Sequence, residues 1–249
     1  MPPIVLKTKY AFHALLWQVR PDLVMDVGSM DGSDSIRFRS LLKSSTLLAF
    51  EANPDNFERM QANKMIDKNH IQVVNSLVSQ TDGMQSFFIQ RPDNSLSDMT
   101  NKGTSSALPR LEAGMQNIEV HVPSVRLDSF IEKAYPAASS IALWIDVEGF
   151  AFDVLESIDR VANRISIIHV EVETRECWPG QHLEPEVVQL LSDMGFILLA
   201  QGKHPIQRDL IFIRADLYSG HMRNNINRML TIARRMGPTL SRCLAWFPR

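Results

Sequence analysis

Short apolar runs of strand length alternate with longer stretches of helical periodicity through most of the chain. Parallel strands joined by crossover helices give this pattern, because each buried strand leads into a helix that packs back onto the sheet. The pattern therefore predicts an α/β fold with one doubly wound, mostly parallel sheet. Seven main strands are predicted at residues 23–27, 46–51, 71–78, 141–147, 165–173, 196–200 and 210–214. Two extra strands are predicted at 84–90, as an antiparallel addition, and at 118–125, and helices at 33–43, 54–65, 153–161 and 184–194, with a short one from 128.

Composition favours one globular domain with a large core, because 45% of the 249 residues are hydrophobic and only 22% are charged. Cys177 and Cys243 lie far apart and outside any Cys/His spacing typical of zinc sites, which excludes a disulfide scaffold and a zinc ribbon. A reducing compartment suits such cysteines, so we expect a cytoplasmic protein. No run reaches the roughly 18 apolar residues of a membrane span.

The charge of the chain is distributed unevenly. Residues 217–249 contain six arginines and no acidic residue, whereas residues 1–216 contain 20 basic and all 28 acidic residues, a net charge of −8. The sequence therefore divides into a body, 1–216, and a basic amphipathic C-terminal tail, 217–249, which is predicted to be helical and to break at Gly237 and Pro238. The apolar positions at helical spacing are Met222, Ile226, Met229, Leu230 and Ala233.

Three states of this tail remain open at the level of the sequence: packing against the body or a partner subunit, peripheral contact with an anionic membrane surface, and disorder. We favour packing on the body, because the acidic body offers the basic tail a partner within the same chain. A homo-oligomer is a further alternative. The overall charge of −2 gives no general attraction to nucleic acid, so no nucleic-acid partner is predicted.

The segment DVGSMDGSDS, residues 26–35, follows the first strand and precedes the first crossover helix. Its glycines at 28 and 32 suit a tight turn and a close approach of a ligand to the helix N-terminus, but they do not form the G-x-G-x-x-G pattern of dinucleotide sites. Glu51 ends the next strand, where folds of this type place a carboxylate that accepts hydrogen bonds from ribose hydroxyls. The alternatives are that residues 26–35 form a purely structural turn and that Glu51 is a solvated strand end.

Acidic residues gather at the predicted carboxyl ends of the first and fourth strands, where open α/β sheets bind ligands. They favour a cationic ligand and disfavour a diphosphate by charge repulsion. These residues are Asp26, Asp31, Asp34, Asp146 and Glu148.

The strand 165–173 predicts a second polar surface at this edge of the sheet. Its alternation places His169, Glu171 and Glu173 on one face, which makes them candidates for removing a proton from an acceptor. Hydrogen bonds that anchor a loop are the structural alternative for His169 and Glu173. Asp146, Glu148 and Glu171 could also hold a divalent metal, but their spacing is generic and no metal is assigned.

Five ordered motifs, DVGSMDG, FEANPDNF, VVNSLVSQTDG, VRLDSF and IDVEG, resemble those of the FkbM family of S-adenosylmethionine-dependent methyltransferases over roughly residues 23–214. The resemblance implies a Rossmann-like class I methyltransferase fold with a seven-stranded sheet and S-adenosylmethionine as the cofactor. It implies that the first turn surrounds the methionine part, that Glu51 holds the ribose and that residues 76–78 flank the adenine. The predicted cofactor-binding residues are Asp26, Gly28, Ser29, Gly32, Ser35, Glu51, Asn53, Ser76, Leu77 and Asp146. The predicted catalytic residues are Asp146, Glu148, His169 and Glu171.

The resemblance also implies the reaction, O-methylation of a hydroxyl on a sugar, glycan or related natural-product acceptor. Ser105 and Ser106 match a serine pair near the cofactor, and Trp178 is expected to border the acceptor, although turn chemistry and core packing explain these residues nearly as well. A nucleotide-dependent oxidoreductase is one alternative function. A catalytically degenerate fold that serves as a binding module is another, because the family usually has lysine at the position of Trp144 and often an acidic residue at that of Ala151. Met30 and Ala52 also depart from the family, which has asparagine and proline there.

Overall fold

The computed structural model describes residues 3–92, 103–110 and 115–246. Within these ranges the chain forms eleven β-strands and nine α-helices. The strands are β1 (Ile4–Val5), β2 (Leu23–Val27), β3 (Thr46–Phe50), β4 (Gln72–Val74), β5 (Leu77–Val78), β6 (Gly83–Pro92), β7 (Met115–Val125), β8 (Ile141–Ile145), β9 (Ile165–Glu173), β10 (Phe196–Gln201) and β11 (Gln207–Arg214). The helices are α1 (Thr8–Val19), α2 (Ser33–Leu41), α3 (Pro54–Ala62), α4 (Lys64–Lys68), α5 (Leu127–Ala134), α6 (Ala151–Glu156), α7 (Glu184–Asp193), α8 (Gly220–Met236) and α9 (Pro238–Trp246).

Eight strands form the main sheet, in the order β1-β10-β11-β9-β8-β2-β3-β4. All neighbours pair in parallel except β11, which runs antiparallel to both β9 and β10. After β1 at one edge, the chain enters the centre of the sheet with β2, moves out through β3 and β4, and returns across the sheet to β8 and β9. The predicted doubly wound, mostly parallel sheet is confirmed, with the two-residue β1 as an unpredicted eighth strand.

Two apolar cores cover the two faces of this sheet, because side chains along each strand alternate between them. In β2, Leu23, Met25 and Val27 contribute to one core and Val24 contributes to the other. Helices α5, α6 and α7 cover the first face, whereas α1, α2, α8 and α9 cover the second. The carboxyl ends of the parallel strands are thus held between two layers of helices.

The predicted strand at 71–78 is wrong as a single strand. It divides into β4, at the edge of the main sheet, and β5, which joins β7 and β6 in a second sheet of three strands. The chain bends between them, where the Ser76 N–H donates to the Val74 carbonyl and the Ser76 hydroxyl donates to the Pro123 carbonyl at 3.1 Å. The extra strands predicted at 84–90 and 118–125 are the long hairpin partners β6 and β7 of this sheet.

Two of the predicted helices each divide into two segments in the structure. Residues 54–65 form two helices, since Asn63 adopts an extended conformation and its side chain caps α4 by accepting from the Met65 N–H. The predicted helix 153–161 divides into α6 and a 3₁₀ segment, Asp159–Arg164. Residues 92–117 are rich in Ser, Asn, Asp and Gly and poor in apolar periodicity, which is typical of a lid or binding loop. This irregular segment falls partly outside the described residues, and of it 103–110 and the first part of β7 are described.

The C-terminal tail packs against α1 in this structure. Ile226, Leu230 and Ala233 of α8 are buried in the core that also holds Phe12 and Leu16 of α1. The predicted helix and its break are observed, because α8 ends at Met236 and the next residue, Gly237, has a φ of +48°. Across the described part of the chain, no helix has the length and apolar character needed to span a membrane.

Candidate active site

The turn between β2 and α2 brings the ends of two central strands together. Gly28 has a φ of +83°, and a Cβ at this position would lie 1.8 Å from the main-chain oxygen of Asp146. The Asp146 N–H donates to the Val27 carbonyl at 2.9 Å. Only glycine therefore permits this contact, which aligns the turn after β2 with the turn after β8.

Asp26 stabilises the same turn through hydrogen bonds to its side chain. Its Oδ2 accepts hydrogen bonds from the hydroxyls of Ser29, at 2.8 Å, and Ser35, at 2.6 Å. Burial raises the pKa of Asp26 to about 6. Gly32, with a φ of +75°, packs its Cα against Ile66. The described lining of the neighbouring cleft includes none of Asp26, Ser29, Gly32 and Ser35, so the structure places these predicted cofactor residues in support of the turn.

Glu51 lies at the edge of the cleft with its carboxylate almost completely buried. Oε2 accepts from the Met30 N–H at 2.6 Å and Oε1 accepts from the Asn53 N–H at 2.8 Å, and the Asn56 side chain bonds to the same carboxylate. Burial raises the pKa of Glu51 to about 7. Met30 has a φ of +53°, a conformation that asparagine adopts more readily than methionine. The Asn53 N–H donates to Glu51, and the Asn53 side chain caps α3. Asn53 itself is not among the residues that line the cleft.

The cleft beside Glu51 has a volume of about 510 Å³, part of it open to solvent. Three groups of residues form its wall: the turn after β2, the strand β5 with the neighbouring Phe87, and the turn after β8. The predicted residues Gly28, Glu51, Ser76, Leu77, Asp146 and Glu148 line it, together with Met30, Asn56, Val78, Phe87 and Ser105. A narrow cleft with apolar walls and one buried carboxylate suits a nucleoside.

Three carboxylates meet where β8 and β9 end. Asp146, Glu148 and Glu171 each offer an oxygen, and these oxygens lie within 4.8 Å of one another. Gln207 donates from Nε2 to Glu171, at 3.0 Å, and to Glu148, at 3.3 Å. This spacing can accommodate a divalent cation, but acidic groups this close also occur without one, and no metal is assigned.

The surroundings of these carboxylates disfavour their ionised forms. Asp146 is open to the cleft but has protein on its other sides, and this desolvation, followed by the charges of Asp209 and Asp26, raises its pKa to about 7. Desolvation and the charge of Asp146 raise the pKa of Glu148 to about 8. Desolvation, followed by the charges of Asp146 and Glu148, raises the pKa of Glu171 to about 9. A shared proton at neutral pH is the expected consequence.

His169 lies on the same face of β9 as Glu171 but is not brought into the cleft. Its ring stacks on Trp144 with centroids 3.6 Å apart, is only 2% exposed, and lies 3.8 Å from the Asp209 carboxylate. Burial lowers the pKa of His169 to about 4, so the imidazole is neutral. We therefore correct the interpretation of His169 as a catalytic residue: its buried ring cannot reach an acceptor and supports the strand that carries Glu171.

Sequence reasoning missed several residues that complete the site. Gln207 contacts two predicted carboxylates but lies in none of the five motifs. Asn56 lies within the motif FEANPDNF, but its contact with Glu51 depends on how α3 packs. The Ser106 hydroxyl donates to the Glu148 carbonyl at 2.6 Å, which ties the described part of the irregular segment to the site.

Trp178 is buried against Gly149, where a Cβ would lie 2.7 Å from the ring, and the Arg110 guanidinium lies 4.9 Å from the ring centroid. Trp178 therefore packs under the site and does not offer its face to an acceptor.

Residues 26–198 match the family model described as Methyltransferase FkbM domain. The 2-O-methyltransferase NoeI of Sinorhizobium fredii is 25% identical over 224 residues, which cover 87% of this chain and 88% of NoeI. The precorrin-6y C5,15-methyltransferase of Geobacter metallireducens aligns with a TM-score of 0.45 and 12% identity, over 82% of this chain and 87% of that one. The N-terminal domain of EvdMO1, crystallised with SAH bound, aligns with a TM-score of 0.42 and 9% identity, over 84% and 82% of the two chains.

Proposed function

The chain belongs to the FkbM methyltransferase family and uses S-adenosylmethionine as its methyl donor, and we propose that its acceptor is a hydroxyl group of a sugar or glycan. The observation that carries this proposal is the position of Glu171, a half-buried carboxylate beside Asp146 and Glu148, two of the residues that line the cleft. An alcohol must lose its proton when it is methylated, so it needs a base at this position. NoeI, similar over most of this chain, is a 2-O-methyltransferase, which supports the same choice.

The cleft fits the adenosyl part of the cofactor. A carboxylate offers about four acceptor positions, and Met30, Asn53 and Asn56 use three of those on Glu51, which leaves room for a ribose hydroxyl. Leu77 and Val78 give the adenine an apolar wall. We propose that Gly28 and Asp146 lie beside the methionine part, where negative charge favours a sulfonium cation.

When it is bound, S-adenosylmethionine supplies a methyl group on a positively charged sulfur. The residues around Glu171 would position the acceptor hydroxyl beside that methyl group, and positioning of this kind is worth about 7 to 11 kcal/mol in model reactions. Glu171 takes the hydroxyl proton as the new C–O bond forms and the C–S bond breaks. The products are a methyl ether and S-adenosylhomocysteine.

Asp146 and Glu148 contribute by keeping the affinity of Glu171 for a proton high. A base works best when its pKa is near the operating pH, and an ordinary glutamate is too weak a base for an alcohol. Burial and the two neighbouring charges raise the pKa of Glu171 to about 9. Gln207 donates to both Glu148 and Glu171 and so fixes their orientation.

The test is methyl transfer to a panel of monosaccharides and glycans, followed by mass spectrometry across a range of pH. We expect kcat/KM for the acceptor to rise as the pH increases above the ordinary range of carboxylates, because the base must lose its proton before it can accept another. Glu171→Gln is expected to lower kcat by about 100- to 10,000-fold without changing the affinity for S-adenosylhomocysteine. Asp146→Asn is expected to move the rising limb to lower pH, because removal of a like charge lowers the pKa of Glu171.

Glu58→Gln is the matched control, since Glu58 is an exposed glutamate on α3 outside the cleft lining. Wild-type turnover in Glu171→Gln would place the base at another residue. Methylation of amines but of no hydroxyl in the panel would contradict the proposed acceptor.

A further inference from the structure

A second, larger groove lies beside the active site on the face of the sheet that α1 covers. Its volume is about 1430 Å³, part of it open to solvent. The wall is made by the first turn of α1, the 202–204 loop after β10 and the end of α8. The family motifs do not include these three segments, and the methyl-transfer chemistry does not account for them.

Five lysines and arginines line the groove, and one of them, Lys9, forms an ion pair with Asp34. Lys7, Lys203, Arg234 and Arg235 line it with exposed side chains, and none of them forms an ion pair or hydrogen bond with a side chain in the described ranges 3–92, 103–110 and 115–246. Like charges gathered in this way repel one another, so the arrangement costs free energy unless an anion binds between them. The first turn of α1 adds to the positive potential, because the residue before the helix, Lys7, provides no side-chain cap.

The chemistry of these side chains favours phosphate over a single carboxylate. Arginine guanidinium groups bind phosphate oxygens in pairs, and lysine ammonium groups add point charges. A phosphate ester carries about 1.5 to 2 negative charges near pH 7, so four unpaired cations match one or two phosphate groups. A uronic acid, with one charge, would leave most of them unbalanced.

Asp209, one of the residues that line the groove, connects it with the active site. Asp209 is the register partner of Glu171 on the neighbouring strand, so the two side chains lie next to each other on the same face of the sheet. The Thr8 hydroxyl donates to Asp209 at 2.8 Å and fixes the start of α1 at this point. A ligand in the groove is therefore adjacent to the base proposed for methyl transfer.

We propose that the groove binds a phosphate or diphosphate group carried by the acceptor, so that the substrate is a phosphorylated or diphosphate-linked sugar. The part of this inference that concerns methyl transfer rests on the proposed function. The binding of the anion does not depend on it. The cations hold the phosphate group, and the sugar extends past Asp209 to place a hydroxyl at Glu171.

An anionic lipid surface is the other source of phosphate, and the structure favours it less. The apolar face of α8 would have to enter a bilayer interface, but its Ile226, Leu230 and Ala233 are buried against the body. The cations of the groove also line a concave wall, which a flat membrane surface contacts poorly.

The test measures the affinity of the full chain for inorganic pyrophosphate by calorimetry at low and high ionic strength. We expect Arg234→Gln/Arg235→Gln to weaken this binding by about tenfold or more. Lys203→Gln, in a loop separate from α8, is expected to weaken it as well, which excludes a local effect on the helix. Arg228→Gln is the matched control, because Arg228 is an exposed arginine on α8 outside the groove and should leave the affinity unchanged.

Glucuronate and vesicles of phosphatidylcholine with phosphatidylglycerol are the comparison ligands. Equal pyrophosphate affinity in the groove variants and the control, tighter binding of glucuronate, or binding to vesicles alone would each overturn the proposal. Affinity for S-adenosylhomocysteine should stay unchanged in all variants. Pyrophosphate binding through these residues in a chain that methylates no hydroxyl acceptor would refute the proposed function while supporting the anion site.

Discussion

Glu51 is the residue on which the proposed cofactor side of the cleft depends. Its carboxylate is buried, and each oxygen accepts a backbone N–H, from Met30 and Asn53. These bonds orient the carboxylate toward the cleft and fix the turns on both sides of it. The sequence predicted Glu51 from its position at the end of the second strand, but the bonds to Met30 and Asn56 required the folded chain.

Glu51→Gln is expected to weaken the affinity for S-adenosylhomocysteine by about 10- to 100-fold, since a hydrogen bond to a charged group contributes about 1.5 to 3 kcal/mol. The amide also places a donor opposite a backbone N–H. Calorimetric titration measures the effect, with Glu58→Gln as the control on the neighbouring helix. An unchanged affinity in Glu51→Gln would remove this residue from the cofactor site.

At the scale of the elements, the turn between β2 and α2 depends on one close contact. Gly28 combines a left-handed conformation with a distance that leaves no space for a Cβ beside the Asp146 carbonyl. The motif predicted a tight turn, because glycine at this position is typical of a strand that leads into a helix. The partner of the contact lies 118 residues further along the chain, and the pairing of β2 with β8 alone brings it there.

Gly28→Ala is expected to lower the free energy of unfolding by about 3 kcal/mol or more, from backbone strain and overpacking together. Gly195→Ala separates the two causes, because Gly195 has a φ of +85° and no atom within 4 Å of the position that an alanine methyl group would occupy. That variant should lose only about 1 to 2 kcal/mol. Urea unfolding of both variants measures the difference, and equal losses would show that the contact with Asp146 relaxes at little cost.

At the scale of the whole molecule, the C-terminal helices act as part of the body. Helix α8 covers α1, and α9 packs on α1 and α2. The His13 imidazole and the Ser241 hydroxyl are joined by a 2.8 Å hydrogen bond between α1 and α9. The same helix α1 carries Thr8 and Lys9 to the groove, so the tail supports the side of the molecule on which the groove lies.

Leu230→Ala is expected to lower the free energy of unfolding by about 2 to 5 kcal/mol, the usual cost of a cavity at a buried leucine. Asn224→Ala, at an exposed position of the same helix, should change it by less than about 0.5 kcal/mol. Because the contact is apolar, the difference should persist at high salt. Equal stability of the two variants would mean that α8 does not pack on the body in solution, and contact with an anionic membrane would then become the preferred role of the tail.

The sequence by itself determined the doubly wound sheet, the turn at Gly28, the carboxylate at Glu51 and the acidic residues that follow β8. Each of these depends on local periodicity or on neighbours in the chain, which a sequence displays directly. Only the tertiary structure decided that the segment 71–78 serves two sheets, that His169 lies under Trp144 instead of in the cleft, and that Lys7, Lys203, Arg234 and Arg235 line one groove. These outcomes depend on contacts between residues far apart in the chain. A buried histidine and a catalytic histidine show the same alternation along a strand, so the sequence alone does not distinguish them.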